Sequence, residues 1–548
     1  MGGRSVRTLM ALLVALALLG GAGCSKPAGK PGGGAAGPTV GGTYVMAVVE
    51  EPRTLDPAKM KLATEDILAS YLGAGLLAVS PDGKIVPWLA KDWQVSDDGT
   101  TLTFHLKSGI KFHSGRPLKA SDIKFSYERV LDPKTGSPVA ADMLAGVTSV
   151  EAPDAETLIL KLKEPNAALL QNLAGSSGYL QPVDPEEVAK WGDEYGTHPC
   201  SVGPFKLKEW KPGEYVVIER NPDYNWAPEF VHQGPPYLQE IMFKVMPEEA
   251  TRVAAFESGE LSQLGVPPQS WAKYQDNPAY QFFRVSSGFV GYVAYNFSKP
   301  LFQDLRVRRA IDYAIDREAI LSSVYEGRGQ VGYSPIHPGL VGYWKESEQP
   351  PYAHPRDLAK AGSLLDEAGW KDADGDGMRE KDGKPLKLRL YTMPAGRWPL
   401  LAELVQAQLK EAGIATEITS YEFSTLLDYL QKGDYDLTMF GYTWIGGDAG
   451  DILNMLLNSA QAGKGLNISH YKNPAMDDLL ARARRTLDQQ ERFEILRDIQ
   501  KLFLEDAVWV TLVYPESAVA IHSRFQGVRV HQVFGQVMLD DVYVTEAK

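Results

Sequence analysis

Two cysteines in 548 residues, Cys24 and Cys200, are too few for a disulfide-built scaffold. They also exclude zinc or iron–sulfur centres that need several thiolates. Catalytic signatures are missing as well. There is no G-x-S-x-G, no H-E-x-x-H, no G-x-x-x-x-G-K-S/T, and no G-x-G-x-x-G following a strand. The nine histidines stand singly. His105 and His113 fall in strand-like sequence without the acids a catalytic dyad needs, so each reads as a surface or hydrogen-bonded core residue. Positive charge is in deficit: 56 Lys and Arg face 69 Asp and Glu, a formal net charge of −13. Such a chain has no broad attraction for nucleic acid or anionic lipid. Beyond the N-terminal segment no apolar run is long enough to span a membrane, and no repeat occurs at a period of roughly 20–50 residues.

What is present begins with an address. Arg4 and Arg7 precede an apolar run from Leu9 to Leu19, too short for a convincing membrane span. Gly20-Gly21-Ala22-Gly23 then lead into Cys24, which resembles a bacterial lipoprotein signal. The resemblance implies a signal peptide over 1–23, cleavage before Cys24 and acylation of its sulfur. Two acyl chains hold a protein at a membrane where one does not. Residues 24–42 read as a flexible Gly/Pro-rich tether. Cys200 is then the only thiol of the mature chain, and it reads as buried and inert.

At about 150 residues per domain the length suggests roughly three or four structural units. Alternating hydrophobicity predicts strands over Thr101–Leu106, Thr157–Leu162, Tyr215–Glu219 and Leu386–Tyr391. Helical periodicity predicts Asp304–Tyr325, Pro355–Ala368, Trp398–Ala412, Pro474–Leu487 and Gln489–Glu505, with stops at Gly369 and Gly413. The mixture argues for α/β architecture with more than one lobe. Strand-to-Pro/Gly junctions near Cys200–Phe205, Val285–Tyr295 and Val510–Pro515 are candidate crossings between lobes.

Asp372, Asp374 and Asp376 alternate ahead of Gly377, as in the first half of an EF-hand loop, with Met378 and Glu380 in later coordinating positions. Position twelve is Gly383 rather than a bidentate Glu. A structural Ca²⁺ and a solvated turn running through Asp382-Gly383 into a hairpin are both open readings. Trp398, Tyr421, Phe423, Tyr442 and Trp444 lie near Gly- or Pro-bearing segments, where a ligand cleft takes its apolar walls. For each of them, core packing is the competing reading.

Larger blocks carry a family resemblance. Glu51-Pro-Arg-Thr-Leu-Asp56-Pro57 opens the series. Leu89-Ala90-Lys-Asp-Trp93 is followed by Val95-Ser96-Asp-Asp-Gly99-Thr-Thr-Leu-Thr-Phe104-His-Leu-Lys107, then Gly109-Ile-Lys-Phe112-His-Ser-Gly115. Tyr295-Asn296, Pro300-Leu-Phe302-Gln-Asp304, Arg306-Val-Arg308-Arg-Ala310, Leu364-Leu365-Asp-Glu367-Ala368-Gly369-Trp370 and Gly433-Asp434-Tyr435-Asp436 come later. Together they resemble the bacterial extracellular solute-binding proteins of the dipeptide/oligopeptide (family 5) ABC importer class. The resemblance implies a bilobal periplasmic-binding-protein fold of α/β class, with an extra subdomain in the N-terminal region and a ligand cleft between lobes. It implies a first lobe from 43–75, 200–285 and 510–548, the additional subdomain over 76–199, and a second lobe over 286–509.

Thr392-Met-Pro394-Ala-Gly-Arg397 resembles the family's Pro-x-x-Arg, whose Arg takes the ligand carboxylate. Gly441-Tyr-Thr-Trp444-Ile-Gly-Gly-Asp448 resembles the segment whose Asp takes the α-ammonium. A fixed Asp and a fixed Arg would read the length of a zwitterionic peptide without reading its side chains. The expected function is therefore capture of di- or oligopeptides by cleft closure and delivery to an ABC permease with its cytoplasmic ATPase. The expected protein is a monomer, anchored outside the cytoplasm by its lipid, without catalysis, a required cofactor or a nucleic-acid partner. The alternatives are a receptor of the same fold for oligosaccharide, nickel or haem, and a secreted hydrolase.

Overall fold

One strand of fourteen residues, Trp509–His522, belongs to two sheets at once. Its first part pairs with Phe289–Tyr295 and its last part with Tyr280–Ser286. The computed structural model describes residues 38–81, 84–174, 178–443, 449–530 and 536–545. Cys24 and most of the expected tether lie outside these residues. The tether ends sooner than expected, because Thr39 Oγ1 donates to Val544 O and Gly41 N to Tyr237 O at 2.8 Å.

On the C-terminal side of the shared strand lies a lobe with a four-stranded sheet. Thr43–Val48 runs parallel to Glu240–Val245, which is followed by Tyr215–Arg220 and Phe205–Lys211. Three distant chain segments fill its core, represented by Tyr44, Leu72, Phe205, Phe243, Ile521 and Leu539.

Beside it an antiparallel sheet orders Ala90–Val95, Thr101–Leu106, Thr157–Leu162 and Val147–Glu151. Strict alternation in Thr101–Leu106 buries Leu102, Phe104 and Leu106. The helix Ala120–Leu131 packs on these side chains through Ile123 and Tyr127. Gly203 marks the return from this subdomain. Its N–H donates to Leu72 O at 2.9 Å, and a Cβ there would lie 2.4 Å from the Leu72 carbonyl carbon. The junction therefore depends on glycine for close backbone approach.

The second lobe is built on the strands Phe289–Tyr295, Leu437–Thr443, Lys387–Thr392 and Ala415–Ser420, hydrogen-bonded in that order. Its core extends from Val290 to Tyr514. Val510, Leu512, Val513 and Tyr514 belong to this core, although the sequence division puts 510–548 with the first lobe. The reason is the shared strand, whose changeover falls at Pro515, after the last pairing with Phe289–Tyr295 at Val513. The single helix expected over Asp304–Tyr325 is two, Leu305–Ala314 and Arg317–Tyr325. Ile315 is extended, and the Asp316 carboxylate caps the second helix by accepting from Ala319 N at 2.9 Å.

A charged network ties these helices to the sheet. Arg317 donates to Asp312 Oδ1 at 2.5 Å and to Gly332 O and Thr511 O, while His354 Nε2 lies 3.0 Å from Asp312 Oδ2. Burial acts to raise the Asp312 pKa, but Arg317 and His354 outweigh it and hold the carboxyl down at about 2.

Two predictions follow from these contacts. An unfolded Asp titrates near roughly 3.9, so the Asp312 contribution is complete above that pH and lost as pH falls towards 2. Asp312→Asn should cost about 2 kcal/mol at pH 7, less than the roughly 3–5 of a fully buried broken pair. Denaturant unfolding should show that deficit shrinking below pH 4; a deficit equal at both pH values would remove the carboxylate from the account. Gly203→Ala should lose about 1–3 kcal/mol through overpacking against Leu72, read as a lowered melting temperature.

Candidate functional site

The two covalent crossings of the lobes lie side by side. Ser287 Oγ donates to Pro515 O at 2.7 Å, and Gly288 next to it takes φ 61°. Proline has no N–H to leave unpaired where the strand changes sheets. His337, from the second lobe, presents Nε2 to Ser286 Oγ at 2.8 Å, and Gly339 N donates to its Nδ1. Burial lowers the His337 pKa to about 4, so the ring is neutral at pH 7, as a ring accepting at Nδ1 must be. Arg328 reaches the other way, donating to Pro268 O and lying 4.6 Å over the Trp271 ring.

The second-lobe sheet brings its side chains to this crossing by parity. Phe289 pairs with Thr443, Val290 with Tyr442, Gly291 with Gly441, and Tyr292 with Phe440. Side chains of paired residues share a face, and successive residues alternate. One face therefore carries Tyr292, Phe440 and Tyr442, and the other carries Phe289 with the two glycines.

Arg397 and Trp398 join the second of these faces. Trp398 opens the helix Trp398–Glu411 and meets Phe289 edge-on, ring centroids 6.0 Å apart. Arg397 is exposed, its guanidinium 5.1 Å over the Tyr325 ring. Burial pushes the Tyr325 hydroxyl up to about 12, against the pull of Arg397. Among the described residues no carboxylate pairs with Arg397.

The other expected ligand residues are placed differently. Tyr442 is buried and spends its hydroxyl on Pro335 O, with its ring 5.9 Å from Tyr292. It is core rather than cleft wall, because strand parity turns it inward. Tyr421 packs with Tyr391 and Tyr429, and Phe423, 54% exposed, stacks on Phe440. Both belong to the Tyr442 side of the sheet, away from Trp398. Trp444 and Asp448 lie outside the described residues. Phe289, Arg328 and His337 were not legible as site residues, since only the pairing register brings them to the crossing.

In the acidic loop, oxygens of Asp372, Asp374 and Asp376 lie within 4.8 Å of one another, all on exposed residues. Asp372 also accepts from Gly375 N and Gly377 N, and Asp376 from Met378 N. Glu380 stands outside this trio, because its carboxylate accepts from Ala373 N at 2.8 Å at the base of the hairpin. Two open depressions lie away from the crossing. One, of about 780 Å³, is lined by Arg53, His198 and Trp210, and the other, of about 510 Å³, by Glu403, Thr416 and Glu417. Among the described residues, no expected ligand residue lines either.

Comparison with known proteins places this geometry in a family. Residues 84–464 match the model of bacterial extracellular solute-binding proteins, family 5 Middle. The oligopeptide-binding protein AppA of Bacillus subtilis is 28% identical over 533 residues, covering 95% of each chain. Its structure in complex with a nonapeptide superposes with a TM-score of 0.73 at 26% identity, covering 93% of this chain and all of the other. Di/tripeptide-binding protein 3 of Pseudomonas aeruginosa is 30% identical over 483 residues, 83% of this chain and 86% of its own. Heme-binding protein A of Haemophilus influenzae is 26% identical over 507 residues, covering 88% and 89%. Two lobes joined at paired crossings, a mixed α/β sheet in each and an added antiparallel subdomain are this chain's version of a shared fold: it belongs to the family 5 bacterial extracellular solute-binding proteins.

Proposed function

We propose that this chain is the receptor of an ABC importer for di- or oligopeptides, which it captures between its lobes and passes to a permease. The observation that supports this best is Arg397. An arginine with no acidic partner among the described residues, held on an aromatic ring beside the lobe crossing and next to Trp398, is suited to a ligand carboxylate. Asp448 is the proposed partner for the ammonium, and Trp444 an adjoining wall. The chemistry is binding and conformational change. The lobes would turn about Ser287–Gly288 and Pro515, and a ligand would shift their closure only by its differential affinity for the closed form. A lipid on Cys24 would keep the receptor at the membrane, and Cys24→Ala should release it into the soluble fraction.

Calorimetry with dipeptides carrying free or blocked termini tests the assignment. Removing one partner of a desolvated charge pair costs about 2–5 kcal/mol, or roughly 30- to 5,000-fold in affinity. Arg397→Ala should lose that much towards free-carboxylate peptides and little towards C-amidated ones. Asp448→Asn should do the same for free-amine against N-acetylated peptides. Equal binding of the free dipeptide by wild type and Asp448→Asn would end the ammonium assignment. Mass spectrometry of small molecules released from the purified, denatured protein separates peptide from haem, nickel or sugar. The similarity to a relative named for haem keeps that comparison pertinent.

For the loop at Asp372, Asp374 and Asp376 the reading retains a structural Ca²⁺, remote from transport. Adding Ca²⁺ to metal-free protein should raise its melting temperature by mass action. An unchanged curve would leave the loop as a turn held by its own backbone bonds.

A further inference from the structure

Gly291 and Gly441 face each other across neighbouring strands, beside the lobe crossing and on the Trp398 side of the sheet. Two opposed glycines leave a patch of bare backbone in a strand pair, which otherwise presents side chains at every position. The Phe289 ring lies across that patch. A Cβ on Gly441 would sit 2.4 Å from Phe289 Cζ, and one on Gly291 would sit 3.1 Å from Phe289 Cε1. A side chain at Gly441 would displace the ring and one at Gly291 would press on it, so the ring lies in a slot that the two glycines leave open. Aromatic cover of strand glycines is a known packing device, and it accounts for the contact. It does not account for the location, since the same ring is only partly buried and meets Trp398, the neighbour of Arg397, edge-on.

We propose that Phe289 is a specificity-determining plug: its ring fills the Gly291/Gly441 slot, and an aromatic or large apolar side chain of a bound peptide takes the same slot by displacing it. This rests on the peptide reading above. The slot offers backbone and the Trp398 edge, surfaces that favour a flat apolar group over a charged one. The plug makes selection weak for large side chains, because entry exchanges one buried ring for another and gains little net burial. A peptide with small side chains leaves the plug in place and loses nothing. The result is a receptor tolerant of sequence, with Phe289 setting the tolerance at one ligand position.

The test compares trialanine with its three single-phenylalanine variants by calorimetry, on wild type, Phe289→Ala, Phe289→Leu, and Phe289→Ala combined with Gly441→Ala. Phe289→Ala should bind one phenylalanine tripeptide about tenfold more tightly, relative to trialanine, than wild type does, as expected for part of a ring's burial. Phe289→Leu should show a smaller change in the same direction and serves if the alanine variant folds poorly. Adding Gly441→Ala fills the slot with a methyl group, which would also stand 2.9 Å from Val290 O and make the strand pair give slightly, and should abolish the gain. Unchanged ratios in both Phe289 variants, with trialanine still bound, overturn the plug alone. A gain that survives Gly441→Ala also overturns it, because the side chain would be bound elsewhere. Failure of all four tripeptides on wild type defeats the peptide reading and the plug together.

Discussion

The pairing of one strand with two sheets is the constraint on which the rest of this molecule depends. Because Trp509–His522 is continuous, the two lobes cannot part without breaking a ladder, and the ladder changes partners at one place between them. That place is narrow. Pro515 donates no hydrogen bond, Ser287 ties the second crossing to it, and Gly288 supplies the left-handed turn between Tyr280–Ser286 and Phe289–Tyr295. Neutral His337 and cationic Arg328 bridge the lobes on either side of the crossing, one through Ser286 and one through Pro268 and Trp271. Backbone pairing and these side-chain contacts together define the line on which the two lobes meet.

The described residues of the proposed site lie beside that crossing. Arg397 and Trp398 stand at the start of one helix and Phe289 at the start of a strand, and the Trp398–Phe289 contact brings the two elements together next to the crossing. The rest of the second lobe supplies rigidity. Arg317 and Asp312 fasten the two helices to the shared strand through Thr511, so that the sheet end carrying Phe289 stands on a well-tied support. In the other half of the molecule, Gly203 does the equivalent work by letting the return from the subdomain pass against Leu72. That contact is one of several between the subdomain and the first lobe, with Leu55 N donating to Gly196 O and His113 N to Ser201 O, and it is the one a methyl group would disturb.

Local elements, fold class and family resemblance could all be read from the order of residues. Thr101–Leu106, Thr157–Leu162 and Gln489–Glu505 occur as their periodicity requires, because period two and period 3.6 are properties of the chain alone. Capping was less legible: Asp316 splits the expected helix at a point that hydrophobic periodicity does not mark. Which way each aromatic faces depends on the folded partners around it. Tyr442 and Phe289 carry similar local signals, yet strand register buries the first in the core and lays the second over two glycines near the hinge. The same holds for the changeover at Pro515 and for Glu380, whose carboxylate went to Ala373 N rather than to the aspartate trio. Alternation along a strand can be read from sequence. Which face meets the core, and which residue lies across the ladder, depends on partners that are hundreds of residues away.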